Sequence, residues 1–351
     1  MSAPDSIPFI GQLSAGRHNL ITDVPGLSVG HSTLNNRDHQ TGVTLIKPHS
    51  GNLFCDKVPA AATVLNGFGK SIGLVQVEEL GVLETPIVLT NTFSVGAMAQ
   101  AQIRQSIKEN PEIGREWSTV NPLVFECNDG YLNDIQAMVL GDEHYQQALN
   151  NTQAQFIQGA VGAGRGMSCF ELKGGIGSAS RGVTLKSGES YTVGALVLSN
   201  FGRLPTLTIA GKHLGPLMQE RLASQKPLTE EKGSIIIIVA TNAPLDSRQL
   251  KRLSLRAGVG LSRTGAFFGN GSGDIALAFS TAYTLPQQTD RPMPAISFIH
   301  DALIDPLFQA TADSVEQAII NALWHAETTV GRDGHRRFSL LDIAPDIRNL
   351  L

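Results

Sequence analysis

The six residues Ile235–Ala240, four isoleucines followed by a valine and an alanine, constrain the fold more than any other stretch of the chain. No polar side chain interrupts them, so a strand built here has no face to turn toward water and must be covered on both sides. A sheet buried on both faces needs a further layer against each, which calls for a layered arrangement of helices and strands. The start of the run is abrupt: Thr229–Lys232 is charged and reads as a surface segment, and only Gly233-Ser234 separates it from the isoleucines. On composition alone, a serine at the mouth of a buried strand is a turn residue.

Elements able to supply the other layers recur along the chain. Val24–Thr33 and Gly42–Ile46 read as short strands joined by "NNRDHQ", with Pro25-Gly26 as a turn signal. Pro86–Thr90 reads as a strand running into a helix after Ser94, and Leu123–Phe125 as a strand leading into the polar loop "ECNDGYLND". Residues 161–181 are rich in Gly and Ser and read as connected turns, whereas Thr192–Leu198 is a strand ending in "SNFGR". After the isoleucine run, "DSRQLKRLSLRAG" reads as a helix. Asp246 is its N-cap, Leu250, Leu253 and Leu255 form its apolar side, and Gly258 is its stop. "GNGSGD" opens a further apolar run at 274–281. In "PLFQATADSVEQAIINALWHAE" the residues Val315, Ala318, Ile319, Ala322 and Leu323 share one helical face. No linker divides this alternation, so the 351 residues are expected to form one α/β body.

Several function classes lose support at this stage. A net charge of -4 without a basic cluster disfavours nucleic acid as a partner. "GVGLSRTG" follows a basic helix rather than a strand and spaces its glycines wrongly for a dinucleotide turn, and no GxxxxGK[ST] segment is present. Neither HExxH nor GxSxG occurs. Cys55, Cys127 and Cys169 are odd in number and far apart, which suits neither a disulfide framework nor a zinc cluster. No apolar run is long enough to cross a bilayer, and the opening residues lack the apolar core of a secretion signal, so the expectation is a cytoplasmic protein with no membrane partner.

The Gly233-Ser234 boundary has a second reading. A serine hydroxyl held in line with the preceding carbonyl can attack it and form an ester that water opens, and glycine leaves that carbonyl uncrowded. Scission makes Ser234 a new N-terminus. Its α-amine, with a reference pKa near 7.7, then lies beside its own hydroxyl and can take that proton at neutral pH.

Four stretches in order, "ECNDGYLND" at 126–134, "SNFGR" at 199–203, "EKGSIIIIVATNAPLDSRQLKRL" from 231 and "GNGSGDIALAFST" at 269–281, resemble the DmpA/BapA family of self-processing serine aminopeptidases, which includes the L-aminopeptidase/D-esterases and β-aminopeptidases. The similarity runs from "ITDVPGLSVGHST" at 21–33 to "NALWHAETTVGRDG" at 321–334, nearly the whole chain. The resemblance implies a four-layer αββα sandwich of the DmpA/ornithine acetyltransferase type, laid out like the N-terminal nucleophile (Ntn) hydrolases but connected differently. It implies a single catalytic domain over 1–351, cut between Gly233 and Ser234 into an alpha chain, 1–233, and a beta chain, 234–351. It also implies a homotetramer of cleaved protomers and no required metal or cofactor.

The resemblance assigns roles as well. Ser234 is the nucleophile, supported by Ser272 and Asp274, which as i and i+2 neighbours in an extended stretch point to one side. Asn200, in "NFG", is assigned to oxyanion stabilisation, a role that works because charge grows on that oxygen in the transition state. Tyr131 can offer its phenol to the nucleophile or the tetrahedral intermediate. Some β-peptide-cleaving relatives lack this tyrosine, so its presence favours the ordinary aminopeptidase and amide or esterase branch. Glu126 can pair with the substrate's free ammonium group, which an internal peptide amide cannot supply. Cys127 has no motif pairing it with a histidine and reads as a packed cysteine. The expected function is removal of N-terminal residues from short peptides and amino-acid amides or esters through an acyl-enzyme. The alternatives are β-aminopeptidase specificity, an ornithine acetyltransferase-like acyltransferase, which the serine in place of threonine argues against, and a non-enzymatic binding protein.

Overall fold

The isoleucine run lies inside the larger of two facing sheets in the computed structural model, which describes residues 7–222 and 233–351. The surface segment expected at Thr229–Lys232 lies outside the described residues. The principal strands are β1 (Ser28–Asn36), β2 (His39–Lys47), β3 (Asp56–Gly67), β4 (Ile87–Asn91), β5 (Val124–Cys127), β6 (Gly175–Thr184), β7 (Ser190–Asn200), β8 (Ser234–Thr241) and β9 (Gly273–Ser280). One sheet has the order β1-β2-β4-β5; the other runs β3-β9-β8-β7-β6, with a short strand, Leu285–Pro286, beyond β3. β8 is parallel to β9 and antiparallel to β7.

The four principal helices complete the layers: α1 (Val95–Glu109), α2 (Asp142–Asn150), α3 (Ser247–Arg263) and α4 (Asp305–Trp324). Met98 and Ala101 of α1 and Tyr145 and Ala148 of α2 pack on Val43, Leu45, Val88 and Val124 of the first sheet. Leu250, Leu253 and Ala257 of α3 and Val315, Ala318 and Ile319 of α4 pack on the second. The chain is therefore a four-layer αββα sandwich, and β8 shows why its sequence is so uniform. Ile235, Ile237 and Val239 face the helices. Ile236, Ile238 and Ala240 face the other sheet. All eight residues of β8 are buried, and each isoleucine removed from water contributes roughly 1.5–3 kcal/mol. Among the described residues, no helix is long and apolar enough to cross a membrane.

Several sequence-based boundaries shift. β1 and β2 extend through most of "NNRDHQ", leaving only Arg37 and Asp38 at the turn. The stretch read as turns at 161–181 contains most of the ten-residue strand β6. Its glycines serve packing: a Cβ on Gly177 would lie 1.8 Å from the Ala318 carbonyl oxygen of α4. Asp246 does cap α3, accepting from the Gln249 N–H at 2.6 Å. Gly258, however, does not stop that helix, which continues to Arg263. Gly260 lets α3 approach α4: a Cβ there would meet the Ala312 oxygen at 2.4 Å. Leu255, assigned to the apolar side, is exposed.

Candidate active site

Three adjacent strand ends meet at Ser234. Asn200, the last residue of β7, is its register partner on one side, and Gly273, the first of β9, is its partner on the other. Ser234 has the same strand parity as Ile236 and Ile238, so its side chain leaves β8 toward the space between the sheets. There its Oγ accepts a hydrogen bond from the Gly273 N–H at 3.0 Å. The preceding residue threads a narrow gap: a Cβ on Gly233 would lie 2.1 Å from the Asn200 carbonyl oxygen.

Ser272 and Asp274 are brought together beside this point. Ser272 Oγ donates to Asp274 Oδ1 at 2.6 Å, and the same oxygen accepts from the Ile235 N–H at 3.2 Å. Both side chains are buried. Among the described residues no hydrogen bond joins Ser272 to the Ser234 hydroxyl, whose partner is the Gly273 backbone instead. The Asn200 amide is fixed at both ends: its Oδ1 accepts from the Ser168 N–H at 2.8 Å and its Nδ2 donates to the Asn128 carbonyl at 2.9 Å. The turn offering Ser168 wraps around buried Lys173, whose Nζ donates to the carbonyls of Gly164, Met167 and Gly174 at 3.0, 2.9 and 2.7 Å. Burial, helped by the nearby Arg165 charge, holds that ammonium well below the usual lysine range.

The first sheet forms the opposite wall. Glu126 sits on β5 in parallel register with Thr90 of β4, and the following Asn91 and Thr92 bring a hydroxyl to it. Its Oε1 accepts from the Lys70 N–H at 2.9 Å and its Oε2 from the Thr92 hydroxyl. The carboxylate is 2% exposed, yet it lines a cleft of about 580 Å³ together with Ser234, Asn128, Lys70, Arg203 and the Phe267 side. That volume is within the range of small-ligand pockets. Cys127 packs beneath the nucleophile, its Sγ 3.3 Å from the Ser234 carbonyl oxygen. Burial, reinforced by the Glu126 and Asp274 charges, pushes its thiol well above the usual cysteine range, so it is not a ready thiolate.

Tyr131 is placed apart from this group. Its ring stacks on His335 at a centroid distance of 4.7 Å, and the Arg337 guanidinium carbon lies over the ring 3.7 Å from its centroid. No hydrogen bond among the described residues links it to Ser234. Sequence reasoning missed the groups that orient the site: the Gly273, Ser168 and Lys70 N–H donors, the Asn128 carbonyl and the Thr92 hydroxyl. Four of these five are backbone atoms, which leave no residue signature. Thr92 becomes visible only once β4 is paired with β5.

Comparison with known proteins agrees with this layout. The model of Peptidase family S58 matches residues 19–337. The chain is 36% identical over 350 residues to the beta-peptidyl aminopeptidase BapA of Sphingosinicella microcystinivorans, covering 94% of this chain and 86% of that protein. The PH0078 protein of Pyrococcus horikoshii OT3 has a crystal structure that superposes with a TM-score of 0.91 at 48% identity, covering 97% of each chain. The L-aminopeptidase D-Ala-esterase/amidase of Ochrobactrum anthropi, described as a prototype serine aminopeptidase with a variant Ntn-hydrolase fold, superposes with a TM-score of 0.87 at 34% identity over 98% of each chain.

Proposed function

The chain belongs to peptidase family S58, the self-processing serine aminopeptidases, and from that premise we propose that it cuts itself between Gly233 and Ser234 and then removes N-terminal residues from short peptides and amino-acid amides or esters. The observation that carries this reading is the Ser234 hydroxyl at a strand end, held by the Gly273 N–H in the same cleft as a buried carboxylate. In maturation, Ser234 Oγ attacks the Gly233 carbonyl carbon, the C–N bond breaks with the nitrogen leaving as an amine, and water hydrolyses the resulting ester. In turnover, the freed amine takes the hydroxyl proton as Oγ attacks the substrate carbonyl. The proton passes to the leaving amine, and water then releases the acyl group.

Within this reading Asn200 donates to the oxyanion, and Asp274, through Ser272 Oγ and the Ile235 N–H, supplies the negative charge that steadies the ammonium form of the new terminus. Glu126 takes the substrate's ammonium group. Two neutral donors hold its oxygens, so a cationic partner is the remaining stabilising element for a carboxylate so deeply buried. Tyr131, stacked on His335 with Arg337 beside its ring, takes no part in the first proton transfer in this reading. A preference for β-amino residues is the second reading, favoured by the resemblance to a beta-peptidyl aminopeptidase. It is separated from the first by comparing α- and β-amino p-nitroanilides. A homotetramer rests on the family resemblance, and a cytoplasmic location on the three unpaired cysteines, which suit a reducing compartment.

Intact-mass measurement tests the central claim. Fragments 1–233 and 234–351 should form and copurify, because parting them exposes β8, and Ser234→Ala should stay one chain without activity. An active wild type that remains a single 351-residue chain would falsify the maturation step.

A further inference from the structure

The cleft holds a charge that the chemistry above leaves unused. Arg203 lines it together with Ser234 and Glu126, and no described residue gives its guanidinium an ion pair or hydrogen bond. Its backbone, by contrast, is firmly set. Gly202 takes a left-handed φ of 88°, which turns the chain away from β7, and the Arg203 carbonyl then accepts from the Thr206 N–H at 3.0 Å and the Thr206 hydroxyl at 2.9 Å. A half-buried guanidinium on an anchored backbone, with no partner among the described residues, is suited to receive an anion. Lys70, the other cation among the described residues lining the cleft, is differently engaged: its Nζ donates to the Phe68 carbonyl at 3.0 Å and sits 3.9 Å from that ring's centroid.

Position decides which part of a substrate Arg203 meets. Glu126 belongs to the first sheet, while Arg203 follows Asn200 by three residues at the end of β7, on the sheet that carries Ser234. A substrate with its ammonium group at Glu126 and its scissile carbonyl at Ser234 sends its leaving group away from Glu126. We infer that Arg203 receives the C-terminal carboxylate of the leaving residue, which makes free dipeptides the preferred substrates of this site. The inference rests on the aminopeptidase reading and deepens it, since the cleft then matches a zwitterion: carboxylate against ammonium at one end, guanidinium against carboxylate at the other. An acidic side chain on the leaving residue offers the same chemistry, and the experiment separates the two.

The test compares kcat/KM of the processed enzyme on L-Ala-L-Ala, L-Ala-L-Ala amide and L-Ala-L-Asp amide. The free dipeptide should exceed its amide by about tenfold, the order expected for one charge-assisted pair in a partly open cleft, and the ratio should shrink as salt is added. Arg203→Gln should bring the ratio close to one, and Arg203→Lys should keep part of it; intact mass confirms that each variant has matured. Equal turnover of acid and amide by the wild type, or equal losses on both in Arg203→Gln, overturns the inference while leaving the aminopeptidase reading in place. A preference for the aspartyl amide over the free dipeptide overturns the C-terminal assignment. Absence of turnover by the matured wild type on all three and on their β-alanyl counterparts removes both readings together.

Discussion

The two walls of the cleft are built by different means. On the second sheet, the groups around the reacting centre are set by backbone register: Asn200, Ser234 and Gly273 stand side by side at the ends of three neighbouring strands. On the first sheet, the proposed recognising group is set by side chains and loop atoms, with Glu126 suspended between the Lys70 N–H and the Thr92 hydroxyl. Register in a sheet packed on both faces cannot slip without mismatching close-packed side chains on each side of it, so the second wall holds atoms where bond making needs them. Hydrogen-bonded side chains can be exchanged singly, so on the proposed function the first wall is where substrate choice would be adjusted. Asn200 joins the two, since its amide reaches across to the Asn128 carbonyl.

Changes to the second wall should therefore reduce turnover most. In Asn200→Ala the proposed oxyanion donor is lost, a change that typically costs about 2.7–4 kcal/mol of transition-state stabilisation, or roughly 100–1000-fold in kcat. Much of the chain should still mature, because cleavage happens once and tolerates a slow rate. Measuring kcat on the fully cleaved fraction separates the two jobs. Near-wild-type turnover there would move Asn200 from catalysis to maturation and blur the contrast between the walls.

A smaller and more selective effect is expected on the first wall. Glu126→Gln keeps the shape and removes the charge. The loss of one charge-assisted bond, about 1.5–3 kcal/mol, should lower kcat/KM on an amino-acid p-nitroanilide by roughly 10–100-fold, with self-cleavage largely intact. Wild-type enzyme should discriminate strongly against the N-acetylated substrate, and the variant much less. If free and acetylated substrates are turned over equally by the wild type, Glu126 is not reading an ammonium group.

The same division explains what could be read from the sequence. β8 and the serine at its mouth were legible because a run covered on both faces has a composition that no half-exposed element shares. β6, two strands away, is buried over its first seven residues, but its sequence "GIGSASRGVT" hides it. There α4 comes so close that glycine and serine replace the branched residues, and small residues also spell turns. Glycine in α3 misleads in the same way: at Gly260 it serves close packing on α4, yet glycine also marks helix ends, and the helix runs past Gly258 to Arg263. On the first wall the chemistry of Glu126 was suggested by resemblance, whereas its holders, Thr92 and the Lys70 N–H, depend on a parallel pairing of strands far apart in sequence. Arg203 has no role in the sequence reading, because its place in the cleft, without an ion pair or hydrogen bond to its guanidinium among the described residues, is a property of the fold.

The smallest expected effect concerns a second carboxylate on the first wall. Asp129 lies three residues after Glu126 and is just as buried, but it turns into the protein body, where its Oδ1 accepts from Asn133 Nδ2 at 3.0 Å and its Oδ2 lacks a well-formed partner. Burial pushes its carboxyl up to about 7, against the opposing pull of the Thr41, Asn133 and Asn91 side chains. An unfolded aspartate titrates near 3.9, so between about pH 4 and 7 the folded protein keeps a proton that the unfolded chain has released. Stability should accordingly fall as pH rises through that window and level off above it. Asp129→Asn cannot ionise, and its Tm relative to the wild type should grow by about 2–5 °C between pH 5 and pH 8. Its kcat/KM should suffer less than that of Glu126→Gln, because no Asp129 oxygen faces the cleft. A Tm difference that stays flat with pH would mean that Asp129 is ionised throughout, and an activity loss equal to that of Glu126→Gln would show that the two carboxylates act as one unit, erasing the distinction between a recognising and a supporting charge on this wall.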